Sequence, residues 1–364
     1  MRFPEFGGEW EREKLRDKCS FYSGGTPSSS NKSYYNGEIP FIRSGEISGD
    51  STELFLSEFG LNNSSAKMVD IGDLLLALYG ATSGQIAISK IRGAINQAIL
   101  CIKSSYDNIF LKSVWEKHVD KILQAYLQGG QGNLSADIVK NLSFYFPSLD
   151  EQNKISKLIV LIDERIATQN KIIEDLKKLK VAIRDKQLNT IRKHYGLNYQ
   201  ICDLLDYEQP TKYVVTDTEY SEDRSKTPVL TANKAFILGY TDESFGVYDK
   251  GACIILDDFT LDCKYVDFPF KVKSSAIKIL TVKNGCSLRY VYEYLNYMNL
   301  ETTEHKRHYI SEIEPMIIAY PTDKKGIDDF NNIMSSFESK IEIENKYLQS
   351  LLIQKVYLLS NMFI

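Results

Sequence analysis

DEQNKISKLIVLIDERIATQNKIIEDLKKLKVAIRDKQLNTIRK, residues 150–193, decides the architecture. Its apolar residues Ile155, Leu158, Ile162, Ile166, Ile173, Leu176 and Ile183 step mostly by three, four or seven. That spacing is the seam of an amphipathic helix, and neither Pro nor Gly interrupts it. A shift of 175 positions lays the seam on Phe330, Ile333, Phe337, Ile341, Leu348, Leu351 and Leu358. Asn170-Lys171 then falls on Asn345-Lys346, and the polar Gln169 falls on Glu344, while Leu179 against Gln354 breaks the match. A helix of about 40 residues runs roughly 60 Å at about 1.5 Å per residue. A narrow seam on so long a helix wants a partner helix, and the natural partner is the other repeat. The polar pair Gln169 and Glu344 reads in two ways, as a register-setting seam position or as a solvent-facing one.

A different texture precedes each helix. In residues 1–149 short β-like runs (39–43, 74–79, 85–89, 98–102) alternate with Gly24-Gly25, Gly45, Gly80, Gly84 and Gly93, and a helix is expected over 110–127. In 197–323 the pattern returns, with runs at 228–231, 236–240, 252–256, 265–270 and 276–282 and a helix over 287–300. Each stretch closes alike: Leu134-Ser135, a strand and Pro147, then Ile310-Ser311, a strand and Pro321. The expected fold class is therefore α+β. Two α/β globules stand in tandem, each followed by a long helix, and the two helices pack as an antiparallel coiled-coil-like pair.

Length and composition agree with this. The chain has 364 residues, about right for two domains, with 43% hydrophobic and 25% charged residues, as in folded protein. The cysteines at 19, 101, 202, 253, 263 and 286 form no Cys-x-x-Cys pair, so no zinc ribbon or redox motif is expected, and scattered single thiols suit a reducing cytoplasm. Met1 to Trp10 has no apolar run, and the longest such run, Leu74 to Tyr79, is too short to cross a bilayer. A cytoplasmic protein without membrane contact is expected. Lys plus Arg total 44 and Asp plus Glu total 48, for a net charge of −4. DNA-binding proteins usually carry a basic surplus. An acidic chain can still bind DNA if its cations lie on one face or a partner supplies phosphate contacts.

The signatures of catalysis are missing. No two of the nine prolines are adjacent, so the (Asp/Asn)-Pro-Pro-aromatic loop of an amino-methyltransferase is absent. There is no Gly-Lys dipeptide for a P-loop, and Gly130-Gln131-Gly132 fails the dinucleotide fingerprint. The four histidines, His118, His194, His305 and His308, supply no metal-ligand set. Glu304-His305-Lys306 with Asp257-Asp258 is the nearest approach to a nuclease core, but Glu-x-Lys recurs at Glu338–Lys340 and Glu344–Lys346 inside a helix. The chain is expected not to be an enzyme and to hold no cofactor or metal itself.

Recognition chemistry is present instead. Loops of Gly, Ser, Thr, Asn and Gln approach base edges without bulk; Arg pairs with guanine, and Asn or Gln with adenine. Candidate DNA contacts in the first globule are Arg43, Ser44, Tyr79, Thr82, Ser83, Gln97, Gln128, Gln131 and Asn133. In the second they are Thr231, Asn233, Lys234, Thr260, Lys306, Arg307 and His308. The loops Gln128–Asn133 and Lys306–His308 hold matching places, one glycine-glutamine and one basic. Matching loops of divergent chemistry suit two readers of different sequences.

Several stretches resemble the specificity (S) subunits of Type I restriction–modification systems. Pro147-Ser148-Leu149-Asp150-Glu151-Gln152-Asn153-Lys154-Ile155 is similar to the Pro-Leu-x-Glu-Gln-x-x-Ile signature that opens their conserved helix. Gln131 to Ser135, Trp10 to Pro27 and Gly72-Asp73-Leu74-Leu75 with Tyr79-Gly80 resemble other parts of the first domain. Ile255 to Thr260 and Tyr265 to Phe270 resemble a second one. Pro321-Thr322-Asp323-Lys324-Lys325 departs from the pattern by lacking the Glu-Gln pair. The resemblance implies target recognition domains at 1–149 and 197–323 and conserved spacer helices at 150–196 and 324–364. It implies a reader of split double-stranded DNA sites that docks two methyltransferase subunits, which bind S-adenosylmethionine, and through them restriction subunits. The helices would set the unread gap, since one helical turn of about 5.4 Å spans one or two base pairs of about 3.4 Å. An orphan recognition subunit of another defence system and a coiled-coil protein scaffold are the alternatives.

Overall fold

A computed structural model describes residues 2–126, 133–232, 235–283, 285–302 and 306–363. The chain divides into two compact units, 1–170 with 346–364, and 171–345. The first unit runs β1 (Glu11–Lys14), α1 (Leu15–Lys18), β2 (Cys19–Ser23), β3 (Tyr35–Ile42), β4 (Leu54–Leu56), α2 (Glu58–Asn62), β5 (Lys67–Val69), β6 (Leu74–Ala77), β7 (Ile86–Ile88), β8 (Gly93–Ile95), β9 (Ile99–Ser104), α3 (Asn108–Tyr126), α4 (Ala136–Asn141) and β10 (Ser143–Phe146). It continues into the long helix α5 (Leu149–Tyr195). The second unit then runs β11 (Tyr199–Gln200), α6 (Ile201–Leu204), β12 (Leu205–Glu208), β13 (Thr227–Leu230), β14 (Ile237–Thr241), β15 (Cys253–Asp257), β16 (Cys263–Val266), β17 (Lys271–Val272), β18 (Ile277–Val282), α7 (Leu288–Tyr297) and β19 (Ile317–Ile318). The long helix α8 (Lys324–Met362) follows.

The two units repeat one topology. Each has a four-stranded sheet, ordered β2-β9-β6-β7 in the first and β12-β18-β15-β16 in the second. The central strands β6 and β15 are buried at every residue, which explains their unbroken apolar sequences. Each unit also has a sheet with one parallel pairing, β3 with β8 and β13 with β17. A short ribbon, β1 with β10 or β11 with β19, sits beside the start of the long helix that follows it. The first core packs Leu74, Leu76, Leu100, Phe110 and Trp115 against Ile155, Ile159 and Ile162 of α5 and Leu358 and Met362 of α8. The second packs Ile254, Leu256, Leu280, Tyr290 and Tyr294 against Leu188 of α5 and Phe330 and Met334 of α8.

The helices pair antiparallel within each unit. The first half of α5 lies with the last half of α8 in one, and the reverse holds in the other. Lys355 Nζ lies 2.7 Å from the Asp163 carboxylate in the first unit, and Lys180 Nζ lies 2.9 Å from Glu338 in the second. A shift of 175 turns Asp163 into Glu338 and Lys180 into Lys355, so this is one ion pair made twice. Every seam position read from the sequence is buried or half-buried, and Leu179, the mismatch, is exposed. Gln169 is buried and Glu344 half-buried, so neither points freely to solvent.

Three local readings are corrected. The apolar run 265–270 is not one strand: β16 stops at Val266, and Phe270 makes an isolated bridge to Tyr248 ahead of β17. Leu134-Ser135 leads into α4 before its strand, and Ile310-Ser311 lies inside a π-helical turn, Tyr309–Ile313. Backbone hydrogen bonds, from Leu134 N–H to the Leu78 carbonyl and from His308 N–H to the Asp258 carbonyl, match Leu134 with His308 rather than with Ile310. The start of α8 also differs from that of α5. Gln152 accepts the Asp107 N–H (3.2 Å) and donates to the Pro147 carbonyl (2.9 Å). The second helix instead uses Asp323, whose carboxylate accepts the Gly326 N–H at 2.7 Å.

Candidate nucleic-acid interface

In each unit, three main-chain segments meet at one end of the central strand. In the first, the residue after β6 is Leu78. Its N–H donates to the Ala98 carbonyl (2.8 Å), and its carbonyl accepts the Leu134 N–H (2.9 Å). In the second, the residue after β15 is Asp258. Its N–H donates to the Ala276 carbonyl (2.9 Å), and its carbonyl accepts the His308 N–H (3.0 Å). The neighbouring sheet repeats too: Asn96 N–H reaches the Ile42 carbonyl (3.2 Å), and Lys273 N–H reaches that of Leu230 (3.0 Å). These bonds involve backbone alone, so they hold whatever side chains the loops carry.

The frame gathers the first unit's candidates. Arg43 follows Ile42, Gln97 precedes Ala98, Tyr79 follows Leu78, and Asn133 precedes Leu134. Thr82 and Ser83 belong to the turn after Tyr79, and the Ser83 hydroxyl donates to the Leu78 carbonyl (3.0 Å). Gly80 and Gly84 take positive φ there (86° and 85°), which suits glycine. The Trp115 indole donates to the Gly84 carbonyl (2.8 Å) and fixes the turn on α3. Gln97 and Asn133 are exposed; Arg43, Ser44, Tyr79, Thr82 and Ser83 are half-buried. Gln128 and Gln131 lie outside the described residues.

Arg43 is already engaged. Its guanidinium donates to Glu46 (2.9 Å) and Glu53 (2.5 Å), and these bonds raise its pKa further. Burial pushes the Glu46 carboxyl up, but bonds from Arg43 outweigh it and leave the group below the usual carboxylate range. Arg43 therefore braces the 43–53 turn in this state.

In the second unit Thr260, Lys306 and Arg307 are exposed. The Asp257 carboxylate accepts the N–H groups of Phe259 (2.9 Å) and Thr260 (3.0 Å) and shapes their turn. The Arg307 guanidinium carbon lies 5.9 Å from the Phe259 ring centroid, so the two loops meet. His308 is 2% exposed; Thr302 (2.7 Å) and Glu312 (2.9 Å) flank its ring nitrogens. Glu312 also pairs with Lys306 (3.0 Å), and its carboxyl lies below the usual range because His308 and then Lys306 bond to it. Thr231, 9% exposed, closes the β13–β14 hairpin with its N–H on the Phe236 carbonyl (2.9 Å). Asn233 and Lys234 lie outside the described residues.

Sequence reasoning missed Gly24 to Thr26 as part of this end. Gly25 N–H donates to the Ile95 carbonyl (3.2 Å), and a Cβ on Gly24 would sit 1.8 Å from that oxygen. The Thr26 hydroxyl donates to the Gln97 amide oxygen. The signal was a glycine pair directly after a strand, where two backbones touch. Among the described residues no group of three or more His, Cys, Asp or Glu side chains is placed to hold a metal ion. Nor is any described helix long and apolar enough to cross a membrane.

Residues 7–178 match the model of the Type I restriction modification DNA specificity domain. Over 125 residues the chain is 48% identical to the EcoR124I/EcoR124II type I restriction enzyme specificity subunit of Escherichia coli, covering 33% of this chain and 31% of that protein. It is 24% identical over 298 residues to the MjaIX specificity subunit of Methanocaldococcus jannaschii, covering 77% of this chain and 67% of that one. The fold is that of the S subunit of a Type I restriction–modification system from M. genitalium, with a TM-score of 0.58 over 100% of this chain and 99% of that one at 14% identity.

Proposed function

We propose that this chain is a specificity subunit of the Type I restriction–modification family, that it reads a split DNA sequence for partner subunits, and that it does no chemistry itself. The observation that carries this is the frame made twice. One backbone arrangement presents neutral amides and hydroxyls in the first unit (Thr82, Ser83, Gln97, Asn133) and cations in the second (Lys306, Arg307). Different side chains on equal scaffolds read different bases. The family implies two methyltransferase subunits as partners, with S-adenosylmethionine bound there and not in this chain, and restriction subunits joining through them. The long paired helices set the unread gap. The setting is the cytoplasm, where such DNA lies. Partner subunits supply phosphate contacts that a chain of net charge −4 lacks.

The test is to co-express the chain with its neighbouring methyltransferase and sequence the host DNA for methylated adenine. A two-part motif with a fixed gap is expected. An assembled complex that leaves no motif would favour the orphan-subunit or scaffold reading.

A further inference from the structure

The two frames differ at their centre. Beneath the second unit's basic loop, the Asp258 carboxylate accepts the N–H groups of His308 (3.1 Å) and Tyr309 (2.7 Å). Lys278 Nζ lies 3.6 Å from the same carboxylate, and both residues are 1% exposed. Lys278 also faces the Tyr207 ring at 5.1 Å, and Tyr207 packs edge-on against Tyr309 at 5.6 Å. Strand register identifies the first unit's counterparts. Leu256 pairs with Lys278 as Leu76 pairs with Leu100, and Asp258 follows its strand as Leu78 follows its own. Where the second unit buries an ion pair, the first buries two leucines, 5% and 1% exposed.

The same fold is therefore built with leucines at both positions. Desolvating an ion pair costs several kcal/mol, and apolar residues of similar volume are often as stable or more so. Stability does not call for charges here. What the carboxylate adds is direction. It grips two amides that immediately follow Lys306-Arg307, whereas the Leu134 amide reaches only a main-chain carbonyl. Directional bonds in a dry site fix a loop more tightly than apolar contact does.

We infer that the buried Asp258–Lys278 pair is a positioning device for base reading: it holds Lys306-Arg307 at the angle that reads the second half-site, and it is kept for specificity. This rests on the function proposed above. Among the described residues the first unit's frame has no such anchor, since Leu78 and Leu100 stand at the two positions.

The test uses the full chain in complex with its methyltransferase, with wild type alongside. Two variants are compared, Asp258→Leu/Lys278→Leu and Asp258→Asn/Lys278→Met; the second keeps an oxygen acceptor for the two amides. Methylation is measured on sites with single-base changes in either half, and melting temperature on each complex. The dileucine variant should melt at most slightly below wild type, because the buried Tyr309 amide loses its acceptor, and should keep its discrimination in the first half. It should lose about tenfold or more in the second, the scale of one well-made base contact. The Asn/Met variant should restore the second half. Full second-half discrimination in the dileucine variant overturns the inference. So does a lowered melting temperature with both halves lost, which makes the pair a stability element. A wild-type complex that methylates no split motif overturns the proposed function itself, and the role of the pair with it.

Discussion

Single side chains show what the sequence makes plain and what it hides. Glycines marked the turn that carries Thr82 and Ser83, and pattern alone put Gln97 in a polar loop; the backbone bonds bring the two loops to one end of the sheets. The occupancy of Arg43 was half visible, since Glu46 stands three residues on, but Glu53 lies ten residues away, beyond any helical period. The burial of His308 was not legible, because Asp258 is fifty residues away in sequence. Gly84 offers a direct check: at φ 85° its Cβ would meet Val119 at 2.9 Å and Leu123 at 3.1 Å. Gly84→Ala should cost about 1 kcal/mol or more in a denaturation series and weaken only the first half-site. Arg307→Ala should relax one position of the second half-site by about 1–3 kcal/mol, read from binding to single-base variants. Glu243 gives a pH dependence. Hydrogen bonds from Lys271 and then Thr216 hold its carboxyl at about 2 in the folded chain. An unfolded glutamate titrates at about 4.3, so this contribution is complete above that value and lost as pH falls toward 2. Lys271→Met should flatten that part of a melting-temperature profile measured from about pH 5 down to 2.

Among the elements, the long helices were the most legible, because their period repeats over many turns. Short strands such as β4, β5 and β8 were not, since three residues carry no period. Nor could the pattern show how the helices are pinned. Lys180 lies 2.6 Å from Glu293, which is almost fully buried on α7, as well as 2.9 Å from Glu338. Among the described residues, removing the lysine leaves Glu293 with Arg184, 4.0 Å away, as its ion-pair partner. Lys180→Met should therefore destabilise the second unit by about 3 kcal/mol in chemical denaturation. Adding Glu293→Met should recover much of that loss, because the uncompensated charge is gone. If the single variant unfolds like wild type, the ion pair is not what locks α7 to the helices.

At the scale of the whole molecule, the duplication was readable from the 175-residue shift, but its true correspondence was not. Sequence similarity suggested Ile310 as the partner of Leu134, and only the backbone bonds selected His308. Replacing residues 1–149 with the matching part of another specificity subunit should change one half of the methylated motif and leave the other half intact. A change in both halves would count against independent reading. The bonds that hold each frame run from amide to carbonyl, and every residue except proline can make them. Substitutions at loop positions that do not require glycine can thus accumulate at little cost to the scaffold. A lineage carrying such a gene can drift to new DNA targets while its fold stays fixed, and it can change one word of its recognition phrase at a time.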